Sequence, residues 1–114
     1  MPVSEVDERD LELLRLAAKA ANLEIESCTC RDPKWPFRLK GQSGVRAHWN
    51  PLINDGDALK LAVELRLDIE INAGGVNVYS GDLDDGLYEP VNGDLGDCTR
   101  RAIVRVAAQV GELP

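Results

Sequence analysis

Residues 54–78, NDGDALKLAVELRLDIEINAGGVNV, decide the fold class because this one stretch changes from helical to strand periodicity. Asn54 or Asp55 is a favourable N-cap for a helix. The first half then repeats apolar residues at the spacing of a helix buried along one face, namely Ala58, Leu61, Ala62 and Leu65. Residues 67–72 alternate apolar and polar side chains, and the alternation resumes after a Gly-Gly pair, which predicts a β-hairpin.

Two further helices are predicted on either side of this stretch. The first begins at a capping box formed by Ser4 and Asp7 and ends at Asn22. The last begins at the N-cap candidate Asp97 and carries an apolar stripe that includes Ile103. Its polar side presents three basic residues that either hold an anion or pair with local carboxylates, namely Arg100, Arg101 and Arg105.

The remaining segments carry weaker strand patterns. Residues 23–29 alternate as a half-buried strand does, and Pro90 confines any strand around it to a sheet edge. Further short strands are predicted at residues 35–39, 45–49 and 87–91. Because long strand–helix alternation is missing, we expect an α+β fold in which a small antiparallel sheet packs with three helices, as two layers or as an α/β/α sandwich.

The composition indicates one globular domain, residues 1–114, with 44% hydrophobic and 29% charged residues. No apolar run approaches the roughly 20 residues that cross a bilayer, and the acidic N-terminus does not fit a secretory signal. Thirteen basic and twenty acidic residues give a net charge of −7, which repels nucleic-acid phosphates and anionic lipid. We expect a cytoplasmic protein with no nucleic-acid or membrane partner and no cofactor. A protein partner and homo-oligomerisation are both left open.

The cysteines and the single histidine form a candidate zinc site. Cys28 and Cys30 lie on one side of a predicted strand, and His48 with Cys98 would complete a set of three sulfurs and one nitrogen. The spacing differs from the motifs of zinc fingers and ribbons, and buried cysteines often serve as small core residues. Both interpretations stay open from the sequence.

Acidic residues form a second candidate site. Alternation would send four carboxylates of the predicted strands to one face of the sheet, namely Glu24, Glu26, Asp68 and Glu70. Such a patch would either meet a basic partner surface or serve solubility alone. At the start of the middle helix, Trp49, Asp55 and Asp57 form a further candidate binding group, although capping explains the carboxylates without a ligand. We expect Trp49 to be largely buried.

Two stretches resemble known proteins. Residues 49–63, WNPLINDGDALKLAV, and residues 100–108, RRAIVRVAA, resemble short uncharacterised proteins of bacteriophages and prophages. The first stretch is also similar, more distantly, to the tryptophan, polar turn and Asp-rich helix start of the phage ABA-sandwich domain family. This resemblance implies a phage or prophage origin and an α/β/α sandwich, but no activity for particular residues.

No nucleophile elbow, Gly-rich phosphate loop or paired-histidine metal motif occurs in the sequence, which favours a non-enzymatic protein. The leading hypothesis is a phage accessory protein that binds a host or phage protein. The alternative is a small zinc-binding domain or metal-dependent enzyme, built on the cysteine and histidine group or on Asp55 and Asp57.

Overall fold

The computed structural model describes residues 8–114, and for residues 45 and 46 it describes the backbone alone. The capping box predicted at Ser4 and Asp7 lies outside the described residues. In chain order the elements are α1 (Glu8–Ala20), β1 (Ile25–Ser27), β2 (Phe37–Leu39), a 3-10 turn (Gly44–Ala47), β3 (His48–Trp49), α2 (Asp55–Leu65), β4 (Asp68–Asn72), β5 (Gly75–Tyr79), β6 (Leu87–Pro90) and α3 (Leu95–Gly111). This combination confirms the predicted α+β class.

Local side-chain chemistry sets the helix ends. The Asn54 side chain accepts a hydrogen bond from the Asp57 amide at 2.8 Å, so Asn54 is the N-cap of α2 as predicted. Asn22 follows α1 in the left-handed conformation, with φ of 58°, and confirms the predicted end of that helix. The prediction for α3 was wrong, because Asp94 caps it by accepting from the amide of Asp97.

The strands form two antiparallel sheets instead of the one that was predicted. In the first sheet the order is β1-β2-β3, and in the second sheet it is β4-β5-β6. The predicted hairpin is β4 and β5, and β6 lies at the sheet edge with Pro90 at its end, as expected. The segment predicted as a strand at residues 45–49 is mostly the 3-10 turn, and strand pairing there is limited to β3.

Helix α3 lies between two hydrophobic clusters. One joins α3 to α1, α2 and the first sheet, and its buried members are Leu14, Ala17, Ala18, Ala21, Phe37, Trp49, Ala58, Leu61, Ala62, Ile103, Val104 and Ala107. The other joins α3 to the second sheet through Val76, Val78, Leu87, Ala102 and Val106. Trp49 is 3% exposed, which confirms its predicted burial. Helix α3 is buried on two sides, so more of its positions are buried than the single apolar stripe that was predicted.

Each sheet packs one face against helices, and its opposite face carries exposed or half-exposed polar side chains. The predicted patch of four carboxylates is wrong, although all four residues are exposed. Glu24 and Glu26 lie at the first sheet, whereas Asp68 and Glu70 lie on β4 of the second sheet. Alternation fixes the face that a residue takes within its own strand, but it does not determine which strands pair.

Candidate metal centre

The outer face of the first sheet carries a row of polar side chains. The register sets Glu26 opposite Arg38, and Arg38 opposite His48. Because side chains alternate along a strand, Phe37 and Trp49 lie on the other face and join the core. Burial of these two aromatic residues therefore keeps His48 half-exposed on the outer face.

The loop between β1 and β2 brings the cysteines to this face. The Cys28 amide donates to the Pro36 carbonyl at 3.0 Å, which extends the pairing of β1 and β2 beyond the strands. Arg31 then takes a left-handed φ of 68°, and the Trp35 amide donates to the Asp32 carbonyl at 2.9 Å. The chain therefore turns back directly after the second cysteine and returns to the sheet.

Three predicted zinc ligands lie together. Cys28, Cys30 and His48 each offer one ligand atom, and these atoms are all within 4.8 Å of one another. The two Sγ atoms are 2.8 Å apart. Cys30 is exposed, whereas Cys28 and His48 are half-buried, so the group is accessible from solvent. Thiolate sulfur and imidazole nitrogen are the ligands that zinc prefers in proteins.

Trp35 supports this group from one side. Its indole stacks on the imidazole of His48, with ring centroids 5.0 Å apart and an interplanar angle of 16°. Its carbonyl accepts a weak hydrogen bond from the Cys30 thiol at 3.9 Å. Trp35 therefore contacts two of the three ligands. From the sequence it was indistinguishable from a core aromatic residue, since no motif links it to His48.

Arg38 is a neighbour of the group that the sequence did not reveal. Its Nε lies 3.5 Å from the Glu26 carboxylate, and its Nη2 donates to the Gln42 carbonyl at 2.5 Å. Desolvation raises the pKa of the Cys28 thiol, and the adjacent Cys30 thiol raises it further, whereas the charge of Arg38 lowers it. The net direction of this pKa is upward, so the charge of Arg38 offsets only part of the rise, and a metal must displace the thiol proton when it binds.

A surface hollow of about 280 Å³ is centred on these side chains. Its lining residues are Cys28, Thr29, Cys30, Arg38, Gly44 and His48. All three ligands of the group and Arg38 therefore face one common space. Such a hollow has room for a metal ion and for a small ligand bound to it.

Cys98 does not belong to the group, so the predicted set of four ligands is wrong. Its thiol is buried at the start of α3 and lies 3.6 Å from the Pro90 carbonyl. It also accepts a hydrogen bond from the Asn92 amide at 3.3 Å. Packing against the end of β6 therefore accounts for Cys98, as the alternative of packing cysteines predicted.

The candidate carboxylates of α2 have local partners. Asp55 pairs with Arg100 at 2.6 Å, and Asp57 accepts from the Asn50 amide at 2.9 Å. Asn50 is itself buried, and its side-chain amide donates to the Lys34 carbonyl. Within residues 8–114 neither carboxylate joins two other metal-ligating groups. An ion pair and a hydrogen bond therefore account for the two carboxylates, and Asn50 joins the cysteine loop to the start of α2.

The basic residues of α3 pair with carboxylates of the same chain, as one of the two sequence alternatives predicted. Besides Asp55, Arg100 contacts Asp97. Arg101 pairs with Asp10 at 3.1 Å, and Arg105 pairs with Glu89 at 2.6 Å; these contacts join α3 to α1 and β6. The three arginines thus contribute to the packing of α3.

The outer face of the second sheet has a different chemistry. Asp68 and Glu70 are exposed on it, and no basic side chain of the described residues lies within salt-bridge distance of either. Tyr79 lies opposite Asp68 in the register, and Tyr88 lies opposite Asn77 on the neighbouring strand. Both tyrosines are about half exposed. This face is therefore acidic and aromatic.

Known proteins provide no functional assignment for this arrangement. A comparison with protein families, with curated proteins and with solved structures finds no match to the chain. Among the described residues, no helix combines the length and the apolar character needed to cross a bilayer.

Proposed function

We propose that this chain is a small zinc-binding domain in which Cys28, Cys30 and His48 hold the metal. The observation that carries the proposal is the convergence of three ligand atoms within 4.8 Å, from residues up to 20 positions apart. Neither capping nor core packing accounts for this convergence, because two of the residues are half-exposed and one is exposed. A stacked tryptophan and an adjacent arginine further favour a defined site.

The ligand distances fit zinc after a small adjustment. Two tetrahedral Zn–S bonds of about 2.3 Å set the sulfurs about 3.8 Å apart. The Sγ atoms of Cys28 and Cys30 are 2.8 Å apart, so the thiols must separate by about 1 Å, which side-chain rotation in an exposed loop provides. Metal binding displaces the thiol protons, so we expect zinc affinity to fall as the pH is lowered.

Metal analysis of the protein purified without chelator, before and after reconstitution with zinc, tests this proposal. We expect one zinc per chain, and loss of that zinc in Cys28→Ser and His48→Gln. Cys98→Ser is the matched control, because it removes a thiol outside the group and its hydroxyl can replace the hydrogen bonds of the buried sulfur. The absence of stoichiometric zinc in the native chain, or equal loss in the control, would falsify the proposal.

A second candidate function is protein binding by the outer face of the second sheet. Asp68 and Glu70 lack a basic partner within the described residues, and Tyr79 and Tyr88 are exposed beside them. Carboxylates attract arginine and lysine, and tyrosine rings add cation–π contacts. These properties favour a basic segment of a partner protein. The resemblance to phage proteins makes a host or phage protein the natural partner, and the phage origin stays a prediction.

Charge reversal distinguishes protein binding by this acidic face from a role in solubility alone. We expect Glu70→Lys to abolish the binding of a lysine- and arginine-rich probe peptide, with the fold intact by circular dichroism. Glu26→Lys is the matched control, because Glu26 lies on the other sheet. Equal effects of both substitutions would show that net charge alone attracts the peptide.

A further inference from the structure

The proposed zinc centre has one ligand position that the described residues do not fill. Zinc takes four ligands, and open zinc sites combine three protein ligands with one exchangeable ligand. Within residues 8–114 the group has three members, Cys28, Cys30 and His48. Two thiolates and a neutral imidazole cancel the charge of the ion, so the metal centre itself has no net charge. Selection of a charged fourth ligand must therefore come from a group beside the metal.

Arg38 is that neighbouring group. It lines the same hollow as the three ligands, and it lies opposite His48 in the register of β2 and β3. An arginine side chain carries its positive charge at every physiological pH. The hollow thus joins a metal site without net charge to one fixed positive charge.

Several N–H donors of the Arg38 guanidinium have no acceptor among the described residues. Its Nε is buried and has no hydrogen-bond acceptor, since the Glu26 carboxylate at 3.5 Å is an ion-pair contact only. Its Nη2 donates to the Gln42 carbonyl, and among the described residues no acceptor bonds to Nη1. A guanidinium has five N–H donors, so three of them, two on Nη1 and one on Nη2, have no acceptor among the described residues, whereas the Nε donor is enclosed.

We propose that this hollow binds a small carboxylate as the fourth ligand of the metal, with Arg38 holding the carboxylate beside the ion. The inference rests on the proposed zinc function. The planar fork of donors in arginine matches the two oxygens of a carboxylate, which is the geometry of bidentate pairing. A hollow of about 280 Å³ suits a ligand between acetate and a single amino acid in size. The carboxylate belongs either to a free small acid or to the C-terminus of a peptide.

Cobalt substitution tests the inference by a signal from the metal itself. The protein is loaded with Co²⁺, whose visible absorption reports its ligands, and it is titrated with acetate at constant ionic strength. We expect a saturable spectral change. Arg38→Gln should weaken acetate binding by about tenfold, the effect of losing one charge-assisted hydrogen bond. Lys40→Gln is the matched control, because this exposed cation lies two residues away and outside the hollow, and it should change the affinity by less than about twofold.

Two short peptides, one with a free and one with an amidated C-terminus, distinguish the two sources of carboxylate. Binding of the free-acid peptide alone identifies a peptide terminus, whereas binding of acetate alone identifies a small free acid.

Arg38→Lys replaces Arg38→Gln in the acetate titration if Arg38→Gln fails to fold. It keeps the positive charge but loses the planar fork of donors, so it should bind acetate more weakly than the native chain.

An unchanged cobalt spectrum in both titrations would overturn the inference while leaving the zinc function intact. Equal weakening in Arg38→Gln and Lys40→Gln would overturn it as well, because the effect would then be one of net charge. A native chain that takes up no cobalt and no zinc would refute the proposed function itself.

Discussion

The two sheets of this molecule differ in what holds them in place. The first sheet has strands of three, three and two residues, and it contributes Phe37 and Trp49 to the buried core. The second sheet has strands of five, five and four residues, and it places Val76, Val78 and Leu87 against α3. The first sheet therefore has fewer backbone hydrogen bonds, and its outer face carries the cysteine and histidine group.

The two sheets of this small chain thus differ in the interactions that stabilise them. The second sheet packs against α3, and the first sheet packs against the helices through Phe37 and Trp49. The loops of the first sheet are long compared with its strands and depend in addition on polar contacts such as those of Asn50. Small sheets of short strands are marginal without such support. A metal ion bound at the first sheet would cross-link β3 to the loop that follows β1, where packing provides least.

The largest expected effect comes from truncating side chains in the hydrophobic cluster that joins the three helices to the first sheet. We expect Leu61→Ala and Ile103→Ala each to lower the free energy of unfolding by about 2 to 5 kcal/mol, because both side chains are nearly fully buried. Denaturant unfolding measures the loss. Leu59→Ala is the matched control, since Leu59 is 62% exposed, and it should change stability by less than about 0.5 kcal/mol. A loss below about 1 kcal/mol at Leu61 would contradict the burial described for α2.

The second sheet and the helices were the predictable part of the fold. Periodicity over residues 54–78 is long and regular, so α2 and the hairpin of β4 and β5 follow from local pattern alone. The division into two sheets was not predicted, because alternation fixes the face that a residue takes but not which strands pair. Each strand pairs only with its neighbours in chain order, and the two sets of three strands lie on either side of α2 in the sequence. The N-cap of α3 was misplaced because Asp94 and Asp97 both have the capping side chain, and only the backbone shows which one accepts the hydrogen bond.

The next largest effect is expected from zinc, which should stabilise the first sheet more than the second sheet. At a zinc concentration 100 times the dissociation constant, linkage predicts about 2.7 kcal/mol of added stability for the structure that holds the metal. Hydrogen exchange should therefore slow at the amides of β1 and β2, with a smaller change in β5. Cys28→Ser should remove the response, and Cys98→Ser should keep it. Equal slowing in both sheets would show that the two regions open together.

Only part of the candidate site could be predicted from the sequence. Residue type and proximity in sequence identified Cys28 and Cys30, and His48 was selected because the chain has one histidine. Cys98 was included on residue type alone, although the fold packs it against the end of β6. Arg38 and Trp35 were missed as neighbours of the site, because the register of β2 and β3 and the turn after Cys30 bring them there.

Removal of the N-cap of α2 is expected to have a smaller effect. Asn54→Ala should lower stability by about 1 kcal/mol, because the Asp57 amide loses its acceptor. Asn54→Asp keeps an acceptor at this position and should restore most of the stability. Thermal unfolding of the two variants provides the comparison. If both variants lost stability equally, the side-chain acceptor would not be what stabilises the helix end.

The smallest expected effect concerns Asp57, which lies where α2 meets the first sheet. Desolvation raises the pKa of its carboxyl above the usual value, and this effect outweighs the opposing hydrogen bond from the Asn50 amide and the charge of Lys60. A raised pKa in the folded state means that folding favours the protonated acid, so this stabilisation is present at low pH and is lost as the pH rises through the folded-state pKa. Asp57→Asn, which stays neutral and still accepts the hydrogen bond, should therefore gain stability relative to the native chain between pH 3 and pH 7, a range that begins below the usual pKa of about 3.9. Urea unfolding at both pH values measures the difference, and a native chain that instead gains on the variant toward pH 7 would show that the amide contact dominates.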